Sequence, residues 1–168
     1  MPLRAVPRHS GCTRQSQVTG DLARDPVTVD GVTATEFRVR YAETDQMGVA
    51  HHANHLIWCE QARTDHMREL GVSYRGMEQQ GLMLPVIDVR VRYRAPARYE
   101  DLIRVRCWVR EITRRQVVFG YVIERADDSV VLATAQTSLV AVDSHRKLAT
   151  IPEHIRRKLK PVADPVRI

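Results

Sequence analysis

The sequence predicts an α+β domain in which one long helix packs on an antiparallel sheet. Three observations predict it. One extended stretch, near residues 54–70, has helical periodicity. Four later segments alternate apolar and polar residues or run almost continuously apolar. The order is strand, one helix, then four strands, without the regular helix–strand alternation that builds a parallel sheet.

The elements follow in order. Residues 1–33 are rich in Arg, Pro, Ser, Thr, Gly and Gln, show no apolar period, and read as a disordered N-terminal extension. They hold no apolar core of a secretory signal. The first 20 residues carry three Arg and no acid, a faint likeness to a transit peptide. The domain is expected over 34–160, with a short C-terminal tail at 161–168. Phe37, Val39 and Tyr41 alternate with Arg38 and Arg40 as a strand with one buried face.

The helix is expected from Asn54, as N-cap, to Leu70, with Gly71 just past its end. Leu56, Ile57, Cys59, Ala62, Met67 and Leu70 form its apolar face; Glu60, Arg63, Asp65, Arg68 and Glu69 form its polar side. Ser73–Gln80, closed by Gly81, suggests a second short helix. Ile87–Tyr93 and Ile103–Val109 alternate as strands, Val117–Glu124 is β-branched, and Val130–Val142 suits a strand covered on both faces. Asp127-Asp128-Ser129 is a turn between strands, and Pro152 opens a final basic helix, Glu153 to Lys160.

Composition narrows the function. With 168 residues, 43% hydrophobic and 27% charged, the chain suits one globular domain. No run of about 18 apolar residues occurs, so no membrane-spanning helix is expected. Cys12, Cys59 and Cys107 are odd in number and form no CxxC pair, which argues against a disulfide framework or zinc site and for a reducing, cytoplasmic compartment. The net charge of +6 raises nucleic acid as a partner. Residues 36–143, however, hold 15 basic and 15 acidic groups, and the excess lies largely C-terminal. With only 5% aromatic residues, few stacking platforms remain for a single strand.

Chemistry concentrates in Tyr41–His55, where an Asp, a Tyr and three His enter the long helix. Amides at a helix start are free donors that polarise an acyl carbonyl as its oxygen becomes an oxyanion. A carboxylate beside them can act as general base or nucleophile. A polar capping turn would use the same residue types. His51, His52 and His55 also form an HHxxH cluster of metal-ligand spacing, without the Glu of HExxH.

Tyr41-x-x-x-Asp45-x-x-Gly48-x-x-x-His52-x-Asn54, followed by Glu60-Gln61-Ala62-Arg63, resembles the 4-hydroxybenzoyl-CoA thioesterase family, above all its YbgC-like acyl-CoA thioesterase branch. Tyr93-Arg94-Ala95-Pro96-Ala97-Arg98-Tyr99-Glu100-Asp101 matches the same branch, so the likeness spans roughly residues 36–160. It implies a hot-dog fold, an antiparallel sheet wrapped around the helix. It implies a homodimer or homotetramer, active sites at the dimer interface, and hydrolysis of a short-chain, medium-chain or aromatic acyl-CoA without metal or other cofactor. Asp45 matches the catalytic Asp, accompanied by Tyr41 and His52. Gly48, Val49, Asn54, Glu60 and Arg94 fall at the substrate site, with an amide near His52 facing the thioester carbonyl.

CoA phosphates call for basic groups at the pocket mouth. The Arg114-Arg115 turn resembles the family's basic turn; Arg146-Lys147 is a weaker match. His51 and His55 stand where the family often has Tyr, which bears on acyl preference more than on the reaction. Alternatives are a non-catalytic acyl-CoA-binding hot-dog protein and a dehydratase of the same fold.

Overall fold

The computed structural model describes residues 26–165. Six antiparallel strands form one sheet: β1 (Val27–Val29), β2 (Val32–Arg38), β3 (Val86–Tyr93), β4 (Leu102–Ile112), β5 (Gln116–Arg125) and β6 (Val131–Val140), in the order β1-β2-β4-β5-β6-β3. A 3₁₀ turn at Tyr41–Glu43 leads to α1 (Asn54–Glu69) and α2 (Tyr74–Gln79), and α3 (Glu153–Arg156) comes last. The α+β class and the single long helix agree with the sequence pattern.

Helix α1 lies across β2, β4 and β5. On β4, Ile103, Val105, Cys107 and Val109 enter the core, while Arg104 and Arg106 pair with Glu36 and Glu124 on the other face. Trp108 also lies on that outer face, where its ring occupies the space a side chain at Gly120 would need. Asp164 accepts from the Trp108 indole and from Arg110, and the Val162 amide donates to the Val109 carbonyl. The segment expected as a tail therefore packs on the sheet through residue 164.

Several elements differ from the sequence pattern. The sheet begins at Val27, within the stretch expected as extension; residues 1–25, with Cys12, and 166–168 lie outside the described residues. Tyr41 does not end an apolar strand face: β2 stops at Arg38, and Tyr41 is 78% exposed on the 3₁₀ turn, edge-on to Tyr99. The N-cap is Ala53, so Asn54 is the first helical residue. Its side chain instead donates to the Glu43 carbonyl at 2.7 Å. Gly71 follows the helix with φ +67°, as a C′ glycine does. The last helix covers Glu153–Arg156, with Pro152 as its N-cap.

The buried stripe of α1 is His55, Trp58, Cys59, Ala62, Arg63, Asp65, His66 and Met67, while Leu56 and Ile57 point outward. Positions 55, 58, 59, 62 and 66 follow the helical repeat. Polar groups are tolerated there because β2 supplies hydrogen bonds: Thr35 donates to Asp65, and Thr33 bonds His66. On β3, Ile87, Val89 and Tyr93 are 59%, 42% and 47% exposed, since β3 is the sheet edge and α1 packs mainly on β2, β4 and β5.

Candidate active site

The loop from Thr44 to Ala53 is folded by its own backbone. Asp45 donates from its amide to the Val49 carbonyl, Gly48 donates to the Asp45 carbonyl, and the Met47 amide donates to Asp45 Oδ1 at 2.9 Å. Gly48 adopts φ +72° at the tip with open space beside it, so the turn conformation rather than crowding selects glycine.

Glu43 closes the loop base. Its carbonyl accepts from the His51 amide and the Asn54 side chain. Its buried carboxylate accepts from the Arg40 amide, the Arg40 guanidinium and the Trp58 indole. Burial opposes ionisation of Glu43, but those bonds prevail and hold its carboxyl below the usual range. The loop tail is tied to the β3–β4 connection by the Ala50 amide on the Ala97 carbonyl, 2.8 Å, and to β3 by the Tyr93 phenol on the His52 carbonyl, 3.0 Å.

This folding leaves specific groups uncommitted. Among the described residues, Asp45 Oδ2 and the amides of Val49 and His52 have no hydrogen-bond partner. Asp45, Met47, Val49, Ala50, His52, His55, Tyr93, Arg94, Ala95 and Pro96 line one open groove of about 360 Å³. A carboxylate and two free loop amides thus share a wall with an imidazole and a guanidinium.

His55 is buried between Trp58 and Tyr93, with ring centroids 4.6 and 5.0 Å away. Burial pushes its pKa down, opposed by the nearby carbonyls of His52 and His51. Neither ring nitrogen makes a hydrogen bond of acceptable geometry. His51 and His52 stack at 4.1 Å on the surface, apart from that buried ring. Among the described residues no three His, Cys, Asp or Glu side chains converge as a metal site.

A larger groove, about 510 Å³, lies between α1 and β2 and includes Glu43 and Asp65. Those acids are already engaged, Glu43 as above and Asp65 by Thr35, Gln61 and Arg68. The free reactive groups face the smaller groove.

Of the residues singled out in the sequence, Asp45, Val49, His52 and Arg94 line this groove, and Gly48 shapes the loop tip. Asn54 clasps the loop instead of facing the groove. Tyr41 and Glu60 are exposed outside it, and Glu60 forms no ion pair with Arg63, whose guanidinium is buried 5.8 Å from the Tyr74 ring centroid. Arg114 and Arg115 lie at the far end of the sheet. The groove is level with Leu132, which accepts from Arg94, whereas Arg115 accepts from Ala141. Nine residues of strand separate them by about 30 Å. Glu43, Trp58 and Tyr93 stand out only once folded, though each lies within or beside the two motif segments.

An antiparallel sheet laid on one long helix, with a carboxylate loop at the helix start, defines a hot-dog protein. The profile of the Thioesterase-like superfamily matches residues 39–159, and the chain belongs to that family, as a YbgC-like member. YbgC of Haemophilus influenzae, an acyl-CoA thioesterase, is 30% identical over 132 residues, 78% of this chain and 87% of that protein. YneP of Bacillus subtilis is 41% identical over 90 residues, 54% of this chain; the match spans 65% of YneP, just under two thirds. Among solved structures, a DHNA-CoA thioesterase from Staphylococcus aureus superposes with a TM-score of 0.67 at 36% identity, covering 71% of this chain and 79% of that one.

Proposed function

We propose that the protein hydrolyses an acyl-CoA thioester to the free acid and CoA, with Asp45 as general base or nucleophile. The observation that carries this reading is the uncommitted Asp45 Oδ2 beside the unpaired amides of Val49 and His52 in one groove. Attack on the acyl carbon, by water that Asp45 deprotonates or by Asp45 itself, drives the carbonyl electrons onto oxygen. The free amides are suited to receive that charge. The C–S bond then breaks, the thiolate leaves, and the exposed His52 imidazole on the groove wall is suited to supply its proton. If Asp45 attacks, water cleaves the resulting anhydride. Named acyl-CoA thioesterases among the relatives, one of them specific by name for an aromatic DHNA-CoA, support the substrate class.

The working unit is a homodimer or a homotetramer built from such dimers. Strand β3 offers an unpaired edge carrying exposed Val86, Ile87 and Val89, which favours pairing with a second chain. Two-fold pairing of this edge brings the far end of one sheet beside the groove of the other. The partner's Arg114 and Arg115 then reach CoA phosphates that they cannot reach within one protomer, while Arg94 serves its own groove. Tyr41 stands exposed on the loop flank and Glu60 on the outer face of α1, both free to meet a bound substrate or second chain. Buried free thiols at Cys59 and Cys107 suit a reducing cytoplasm.

The test is free-thiol release from short, medium, long and aromatic acyl-CoAs by wild type and Asp45→Asn. Turnover by wild type, reduced at least about a hundredfold in the variant, is the expected result. Acyl-CoA binding without turnover by folded wild type would instead favour a non-catalytic ligand-binding protein.

A further inference from the structure

We propose that Tyr93 is a positioning residue for this hydrolysis: its phenol pins the main chain at His52 and thereby aims the unpaired His52 amide at the thioester carbonyl. The role rests on the reaction proposed above and adds to it a residue on a different element. The loop is held firmly on either side of His52. Ala50 is tied to Ala97, while His51 and Asn54 are tied to the Glu43 carbonyl, all at 2.7–2.8 Å. Between those ties, the His52 carbonyl has two partners: the His55 amide at a long 3.4 Å and the Tyr93 phenol at 3.0 Å. The Ala53 amide turns back to the His51 ring at 3.3 Å. The peptide that carries the His52 amide is held on one side by its own carbonyl, that of His51, which accepts from the Asn54 amide at 2.9 Å; at the His52 carbonyl, on the other side of the same Cα, the phenol is the one short tie from outside the loop.

Its support is rigid. Tyr93 pairs with Ala133 in the β3–β6 ladder. Its ring stands edge-on to His55 at 5.0 Å, and His55 rests on Trp58 at 4.6 Å. The stack carries the hydroxyl from the sheet edge to the loop and limits its swing. An oxyanion donor contributes only when aimed at the oxygen of the transition state, so releasing its main chain slows the chemical step while leaving ground-state binding largely intact.

The test compares wild type with Tyr93→Phe and Tyr93→Leu on the best acyl-CoA. Tyr93→Phe keeps the ring on His55 and removes only the hydroxyl. Its kcat is expected to fall about tenfold with KM within about twofold, an unchanged melting temperature, and an acid limb of the pH–kcat profile that does not move, because the base is untouched. Tyr93→Leu is expected to lose at least as much. An unchanged kcat in Tyr93→Phe overturns the role. So does a raised KM at constant kcat, which would assign the phenol to substrate contact, or a shifted acid limb, which would assign it to tuning Asp45. Loss confined to Tyr93→Leu also overturns it, since ring packing would then be what matters. A wild type inert on every thioester removes the reaction itself; an active wild type matched by Tyr93→Phe removes only this role.

Discussion

The two sides of helix α1 treat polar groups in opposite ways. Toward β2, buried polarity is closed on itself. Asp65 accepts from Thr35, Gln61 and Arg68, and His66 Nδ1 bonds Thr33, which in turn bonds Thr28; of these groups, among the described residues, His66 Nε2 lacks a partner. Toward β3, Asp45 Oδ2, two loop amides and both nitrogens of His55 are left open, beside an exposed apolar strand edge. Satisfied networks rigidify a fold, whereas unsatisfied groups cost free energy unless a ligand or partner completes them. The difference assigns stability to one side of the helix and chemistry to the other.

Matched substitutions break that comparison if it is wrong. On the open side, Asp45→Asn is expected to lose at least about a hundredfold in kcat with little change in melting temperature. On the closed side, Asp65→Ala strips three donors of their acceptor. It is expected to lower unfolding free energy by about 3 kcal/mol in urea titration while the folded fraction keeps wild-type KM. A large activity defect in Asp65→Ala at temperatures where it stays folded would mean that the two sides are coupled.

On the closed side, acid acts through His66. Burial lowers the His66 pKa to about 4, so the folded protein resists a proton that the unfolded chain takes up near pH 6.5. The neutral ring's contribution is complete above pH 6.5. It declines as pH falls toward 4 and levels off below, a span of roughly 3 kcal/mol. His66→Gln should flatten that slope between pH 6.5 and 4 in urea midpoints. An equally steep slope in the variant would assign the acid sensitivity to other groups.

The sheet, the helix and the Asp45 loop were legible in the sequence because each rests on local pattern. Alternation marks β4, a β-branched apolar run marks β5, Gly71 closes α1, and the spacing from Tyr41 to Asn54 carries the resemblance. The closed network was not legible. His66 is buried by Thr33, Asp65 by Thr35 and Trp58 by Glu43, partners 33, 30 and 15 residues away. Hydropathy alone therefore puts Asp65 on the wrong face and Leu56 and Ile57 inside. Alternation in Ile87–Tyr93 signals a strand but not an edge, because edge status depends on sheet order. Asn54 has the right residue type for an N-cap, yet the chain enters the helix one residue earlier and frees its side chain to hold Glu43. In the same way, Arg114 and Arg115 have the charge for CoA but lie about 30 Å along the sheet from Arg94 in one protomer, a fact set by strand length and topology.

The smallest effect tests whether the open groups belong to the empty groove. His55 has two buried nitrogens without a well-formed hydrogen bond, and an unpaired buried polar atom costs about 1–3 kcal/mol. His55→Phe keeps an aromatic ring between Trp58 and Tyr93 and removes both nitrogens. The expected result is a gain of about 1 kcal/mol in unfolding free energy, read as a higher urea midpoint at unchanged m. A loss of similar size, with folding otherwise intact, would mean that the His51 and His52 carbonyls hold the ring proton after all. His55 would then belong with Asp65 and His66 among the groups that stabilise the fold, and the boundary between the two sides of α1 would run closer to the groove.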